Sequence, residues 1–96
     1  MNEPKVPGSK ARIVTIRNQR GLHARAAAKF VRTVEAHEAE VSVTKDDTEV
    51  AGNSIMGLMM LAAGPGTQIE LRASGEQAEA SLDALEDLIA RKFDED

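Results

Sequence analysis

A histidine, an arginine and the beginning of a predicted helix lie together in one short stretch of the chain. His23 directly precedes the alanine-rich sequence that begins at Ala24, and Arg25 follows two positions after the histidine. Alanine has the highest helix propensity, and the first N–H groups of a helix, here those of Ala24 and Arg25, have no intrahelical partner. These groups attract anions, and a guanidinium can bind an oxyanion through two hydrogen bonds. The residues therefore predict that His23 carries a phosphoryl group; the alternative is a histidine that only begins a helix.

The residues around His23 resemble the active-site signature of a known family. Residues 21–27 read Gly-Leu-His-Ala-Arg-Ala-Ala. The signature of HPr, the histidine phosphocarrier of the bacterial phosphoenolpyruvate-dependent phosphotransferase system, reads Gly-Leu-His-Ala-Arg-Pro-Ala. The one difference is Ala26 at the proline position. Proline in a first helical turn lacks only an N–H without a helical partner, so we expect alanine there to keep the helix and restore a donor.

The hydrophobic pattern predicts the elements that position this site. Strands are indicated over 10–17, 39–44, 48–51 and 67–73, and helices over 24–36, 55–63 and 76–93. This order (βαββαβα) predicts an α+β fold in which three helices cover one face of a four-stranded, mostly antiparallel sheet. Residues 1–9 and 94–96 are expected to be a flexible N-terminal tail and an acidic C-terminal tail. His37, between the first helix and the hairpin, is expected to be exposed and without function.

A second stretch extends the resemblance. Residues 54–58 read Ser-Ile-Met-Gly-Leu and precede a Gly-Pro-Gly turn at 64–66, which is similar to the second signature of the HPr family. The order of elements is also that of the HPr fold, an open-faced β-sandwich. The resemblance runs from about residue 10 to 93 and implies a single HPr-like phosphocarrier domain over this range.

The composition excludes several classes of protein. A chain of 96 residues forms one domain, without room for a deep catalytic cavity. It has no cysteine for a disulfide or a thiolate metal site, and its two phenylalanines give no surface for stacking bases. No apolar run approaches the ~20 residues of a membrane span, and residues 1–10 lack a signal-peptide core. We therefore expect a cytoplasmic protein that binds neither nucleic acid nor membrane.

The charges are distributed unevenly along the chain. Residues 1–47 hold nine Lys or Arg and six Asp or Glu, whereas residues 48–96 hold three and ten. No acidic residue lies between Glu3 and Glu35, so a positive field around the histidine is expected to attract phosphate and an acidic partner. Arg20 and Lys29 are predicted to border the docking surface. The alternative is an ordinary solvated basic face.

The resemblance implies a phosphoryl carrier and not an enzyme with its own turnover. His23 is expected to accept the group on Nδ1 from enzyme I, with Arg25 and the N–H groups of Ala24 and Arg25 stabilising it. It would then pass the group to a histidine of an EIIA-type acceptor, in sugar uptake or in nitrogen-related regulation. No metal or organic cofactor is expected. The site should be shallow and exposed, because both partners are whole proteins, and the carrier should be a monomer.

Ser54 and the apolar run after it allow two interpretations each. Serine is a preferred N-cap, which alone explains Ser54, but in the HPr proteins of many bacteria the matching serine is phosphorylated by HPr kinase. Ile55, Met56 and Met59 are predicted to lie at the surface as part of the docking site, because flexible thioethers suit two partners in turn. Leu58 and Leu61 are assigned to the core; the alternative is that the whole run is core.

Two rival functions are a regulatory module and a regulator without phosphoryl transfer. The first would have a ferredoxin-like α+β fold and bind an anionic metabolite non-covalently at the helix N-terminus. The second would be an HPr-like protein that binds transcription factors, but such relatives lack the active histidine, and His23 argues against it. Phosphorylation by phosphoenolpyruvate and enzyme I would distinguish all three.

Overall fold

A computed structural model describes residues 9–95, so the tail predicted at residues 1–9 lies almost entirely outside the described part. The elements are β1 (Lys10–Thr15), α1 (Ala24–Glu35), β2 (Glu40–Lys45), β3 (Thr48–Ala51), α2 (Ile55–Met60), β4 (Gln68–Ser74) and α3 (Ala78–Ala90). A single 3-10 turn at Lys92–Asp94 follows α3. The predicted order of strands and helices is confirmed.

The four strands form one sheet in the order β1-β4-β2-β3, and every neighbouring pair is antiparallel. In this register Val14 of β1 lies opposite Ile69 of β4, and Val43 of β2 lies opposite Leu71 of β4. All four side chains are buried. Because side chains alternate between the two faces of a strand, this pairing brings the predicted apolar positions to one face of the sheet.

The three helices cover that face. Helix α1 contacts α2 and α3, while α3 also packs on β1 and β4. Apolar side chains at helical spacing form one buried side of α1: Ala26, Ala27, Phe30, Val31 and Val34. Full burial of a side chain as large as Phe30 contributes roughly 1.5–3 kcal/mol to folding, so this buried side fixes α1 against the sheet.

Two helices end earlier than their sequences suggest. Helix α2 ends at Met60, before the Gly-Pro-Gly turn, because Ala62 adopts a left-handed φ of 52°. Helix α3 ends at Ala90 and does not reach Phe93, because residues 92–94 all have positive φ. No helix within residues 9–95 is long and apolar enough to cross a membrane.

The prediction that His37 is exposed is wrong. The side chain is half-buried, and its Nδ1–H donates a hydrogen bond of 2.8 Å to the carbonyl of Thr33. This carbonyl belongs to the last turn of α1, where C=O groups lack helical partners. His37 therefore stabilises the C-terminal end of α1.

Candidate functional site

The turn before His23 is fixed by a buried asparagine and a glycine. Asn18 is fully buried, and its Nδ2 donates to the carbonyl of Gly21 at 2.8 Å. Gly21 has a φ of 62°, and a Cβ at this position would lie 2.2 Å from the carbonyl oxygen of Ala63. The same oxygen accepts the N–H of Leu22 at 3.0 Å. The turn is thus locked against the segment after α2, which fixes where α1 begins.

His23 is the N-cap residue of α1, as the sequence predicts. Its backbone is extended, with φ −74° and ψ 178°, and its carbonyl accepts the N–H of Ala27 at 2.8 Å. The His23 side chain makes no capping hydrogen bond. The N–H groups of Ala24 and Arg25 therefore face the region beyond the helix end without a partner from this side chain, as an anion site requires.

The C-terminal end of the chain covers the histidine ring. The carboxylate of Glu95 accepts a hydrogen bond from Nε2 of His23 and another, at 3.0 Å, from Nδ2 of Asn18. The side chains of His23 and Glu95 are only 18% and 16% exposed. The expectation of an exposed site is therefore wrong for the histidine ring, because Glu95, in the segment predicted as an acidic tail, lies against it.

A buried phenylalanine holds this segment in place. Phe93 is fully buried, and its carbonyl accepts a hydrogen bond of 2.8 Å from Nζ of Lys29 on α1. Lys92, Phe93 and Asp94 all have φ values between 55° and 62°, a conformation that costs roughly 1–2 kcal/mol for each residue other than glycine. Burial of Phe93 and the contacts of Glu95 offset this strain.

A depression beside the ring is lined by three basic and two acidic side chains. The depression has a volume of about 340 Å³ and is lined by Gln19, Arg20, Arg25, Lys29, Asp94 and Glu95. Arg20 and Arg25 are exposed, whereas Lys29 is half-buried by its bond to the C-terminal segment. Three cations and the free N–H groups of α1 make this end of the domain suited to an oxyanion.

The Glu95 carboxyl is held in its ionised form. Its partial burial opposes ionisation, but the hydrogen bonds from Asn18 and His23 and the charge of Arg20 outweigh this effect and place the pKa of Glu95 below its ordinary value. Glu95 is consequently a carboxylate near neutral pH. As an ionised carboxylate it can only accept hydrogen bonds.

The second motif forms the start of α2. Oγ of Ser54 accepts the N–H of Gly57 at 2.9 Å, so the predicted N-cap is confirmed. Leu58 and Leu61 are buried, as predicted. The side chains of Ile55, Met56, Met59 and Met60 are exposed. An apolar surface therefore lies on α2, the helix that packs beside α1.

Sequence reasoning missed two residues at this site, Asn18 and Glu95. Asn18 had a weak signal, since asparagine is frequent in turns. Glu95 had none, because it contacts the ring of a residue 72 positions earlier in the chain.

Comparison with known proteins identifies the family of this chain. A family model described as "PTS HPr component phosphorylation site" matches residues 10–91. The phosphocarrier protein HPr of Pseudomonas putida is 52% identical over 86 residues, which cover 88% of this chain and 96% of the relative. The phosphocarrier protein NPr of Shewanella violacea is 42% identical over 84 residues, covering 88% and 92%.

The fold is also that of solved HPr structures. The crystal structure of HPr-C-His from Thermoanaerobacter tengcongensis matches with a TM-score of 0.86 and 41% identity, covering 91% of this chain and 98% of that one. The predicted open-faced β-sandwich is therefore confirmed. With a family model that spans most of the sequence and relatives at about half identity, the chain belongs to the HPr family, the phosphocarrier proteins of the phosphotransferase system.

Proposed function

We propose that His23 is the residue that carries the phosphoryl group, and that the bond forms at Nδ1. The observation that carries this proposal is the position of His23 at the N-cap of α1 without a side-chain capping bond. Nε2 is engaged by Glu95, whereas Nδ1 has no hydrogen-bond partner within residues 9–95. A phosphoryl group on Nδ1 would lie near the N–H groups of Ala24 and Arg25, which stabilise its negative charge.

The donor in this proposal is phosphorylated enzyme I, and the acceptor is a histidine of an EIIA-type protein. Phosphoryl transfer needs mainly positioning and charge stabilisation. The exposed guanidinium of Arg25, two residues after His23, supplies a cation that can move with the incoming group. Neither step requires a metal or an organic cofactor from this chain, and the carrier acts as a monomer.

The proposed docking surface combines the exposed apolar residues of α2 with the basic residues near α1. Ile55, Met56 and Met59 form its apolar part, and Arg20, Arg25 and Lys29 its basic part. An apolar centre with a charged border is the usual anatomy of a protein interface. Lys29 is less available to a docking partner than the sequence suggests, because its ammonium already binds the carbonyl of Phe93.

Ser54 is proposed as a regulatory phosphorylation site for an HPr kinase. Its hydroxyl is half-buried and accepts one backbone N–H at the start of α2. A phosphate at a helix N-terminus is electrostatically favourable, so the fold tolerates it. The added negative charge would lie beside Ile55 and Met56 and would oppose docking of an acidic partner.

The acceptor belongs either to sugar uptake or to the nitrogen-related regulatory branch. Relatives named HPr and NPr are both similar to this chain. Ala26 and the methionine-rich second motif favour the regulatory branch weakly. Rates of transfer from the phosphorylated chain to one EIIA protein of each branch distinguish the two.

The decisive experiment measures incorporation of acid-labile phosphate from phosphoenolpyruvate and enzyme I. We expect one phosphate per chain in the wild type and none in His23→Ala. The matched control is His37→Ala, which removes the only other histidine and should leave incorporation intact. Equal incorporation in His23→Ala would refute the assignment, and binding of an anion without covalent incorporation in the wild type would favour a metabolite-binding module.

A further inference from the structure

We infer that Glu95 is a positioning residue for phosphoryl transfer: its carboxylate fixes the tautomer of His23 and stabilises the ring while it carries positive charge. The inference rests on the proposed phosphorylation of His23. Its basis is the hydrogen bond between Nε2 of His23 and the Glu95 carboxylate, in a position where both side chains are largely buried.

The contact determines which ring nitrogen is the nucleophile. The Glu95 carboxylate can only accept a hydrogen bond, so the proton shared with it must be carried by Nε2 of His23. In the neutral imidazole this leaves the lone pair on Nδ1. Nδ1 is thereby the nitrogen that can attack phosphorus, and Glu95 acts on it through the ring and does not touch the phosphoryl group.

Glu95 is itself held in a defined position. Nδ2 of Asn18 donates to its Oε1, while its Oε2 is the atom that contacts the ring. Asn18 is fully buried and also binds the carbonyl of Gly21, two residues before the histidine. One asparagine thus fixes both the turn that places the ring and the carboxylate that orients it, an arrangement that pre-organises the pair.

The charge of the ring changes during transfer. The Nδ1 lone pair forms the new N–P bond while the bond between phosphorus and the donor atom breaks, and the electron pair of that bond stays with the donor. The ring of His23 keeps its Nε2 proton and becomes cationic, so the hydrogen bond to Glu95 becomes an ion pair. When the group leaves for the acceptor, the N–P electron pair returns to Nδ1 and the ring is neutral again. A carboxylate beside an imidazole stabilises this cationic state in the same way in hydrolytic triads.

The other charged groups at this end of the domain cannot stabilise a positive charge on the ring as Glu95 does. Arg20, Arg25 and Lys29 line the neighbouring depression and favour the phosphoryl group, but they oppose a positive charge on the ring. Asp94 is directed to Arg91. Within residues 9–95, Glu95 is the one anion in direct contact with the ring of His23.

The experiment compares Glu95→Ala and Glu95→Gln with Asp87→Asn. The first removes the acceptor, and the second keeps the size of the side chain but removes its charge. The control removes one negative charge from α3, at an exposed residue that pairs with Arg91 and does not line the depression. Single-turnover rates of charging by phosphorylated enzyme I are measured for all three, together with the 15N shifts of the two ring nitrogens of His23 without phosphate. Thermal unfolding of each variant verifies that it is folded.

We expect charging of both Glu95 variants to be slower by about tenfold or more, the size of effect that follows loss of a charge-assisted hydrogen bond. In Glu95→Ala the ring shifts should move from a single Nε2–H tautomer toward a mixture. Asp87→Asn should retain the wild-type rate and shifts. Wild-type rates in the folded Glu95 variants would overturn the inference, and faster charging would show that Glu95 instead shields the ring.

The two proposals can fail separately. A wild-type chain that takes no phosphate on His23 would refute the proposed function and, with it, this role of Glu95. A wild type that is charged on His23, with Glu95 variants charged at the same rate, would refute only the role of Glu95. Unchanged ring shifts in Glu95→Ala would independently show that Glu95 does not set the tautomer.

Discussion

Replacement of Gly21 by alanine should damage both stability and phosphoryl transfer. The residue has a φ of 62°, and the added Cβ would lie 2.2 Å from the carbonyl oxygen of Ala63. The left-handed conformation alone costs alanine roughly 1–2 kcal/mol. The overlap is with backbone, so the turn must move, and forced repacking of this kind costs typically ~1–3 kcal/mol. The free energy of unfolding should fall by about 2–5 kcal/mol in all.

Alanine substitutions at two other glycines separate the cost of the left-handed conformation from the cost of the close contact. Gly66 also has a positive φ, 86°, but a Cβ there meets nothing within 4 Å, so Gly66→Ala should show only the conformational cost. Gly64 has neither a positive φ nor a close neighbour, so Gly64→Ala should be nearly neutral. Urea unfolding measures all three. A shift of about 4–8 °C in Tm per kcal/mol is expected for a domain of this size.

The turn also fixes the position of His23, two residues after Gly21. Gly21→Ala should therefore slow charging by enzyme I even at temperatures where the variant is fully folded, whereas Gly66→Ala should not. If Gly21→Ala were no less stable than Gly66→Ala, the close approach of Gly21 to Ala63 would not contribute to stability, and the account of how this turn is locked would be wrong.

Three further predictions concern the docking surface, the regulatory serine and the C-terminal segment. Met56→Glu should weaken binding of enzyme I by more than about 1 kcal/mol with little change in Tm, because this side chain is 74% exposed; a large fall in Tm would instead show that it supports the core. Ser54→Asp should lower the rate of charging and leave the helical circular dichroism near wild type. An unchanged rate would show that Ser54 serves only as a helix cap. The pKa of Glu95 is lowered in the folded state, so its stabilisation is present above the unfolded pKa of about 4.3 and lost as pH falls through the folded value. The Tm difference between wild type and Glu95→Gln should thus be present at about pH 6 and shrink as the pH falls below about 4.3; a difference that stays constant on acidification would mean that ionisation of Glu95 is not its source.

The fold could be predicted because the residue spacing that indicates each strand or helix lies within a short stretch of sequence. In β4, Ile69 and Leu71 alternate with polar residues, and in α1 the spacing of Phe30 and Val34 gives a helical stripe; all four are buried as expected. The end of α2 was not predictable in the same way. The Gly-Pro-Gly turn is the obvious terminator in the sequence, but Leu61 and Ala63 are both buried. The chain leaves the helix at Ala62 between them, in a left-handed conformation that alanine does not favour by itself.

The candidate site was half predictable for a related reason. His23, Ala24 and Arg25 are neighbours in sequence, and helix N-terminus chemistry follows from their order alone. The contact of the Glu95 carboxylate with the ring depends instead on the backbone conformation of residues 91–95. The apolar spacing of α3, with Leu85 and Ile89 followed by Phe93 four residues later, suggests one continuous helix that would carry the last residues onward along its axis.

Phe93 is buried although α3 ends before it, and the turn that buries Phe93 also brings Glu95 to His23. Three consecutive residues in the left-handed region reverse the chain after Arg91, and the backbone of Phe93 is tied to Lys29 of α1. Packing in the core therefore stabilises a strained turn. This turn places Glu95 against His23 at the functional end of the domain. It follows that the fully buried aromatic ring of Phe93 influences the histidine through Glu95, since loss of its packing would release Glu95 together with the segment that carries it.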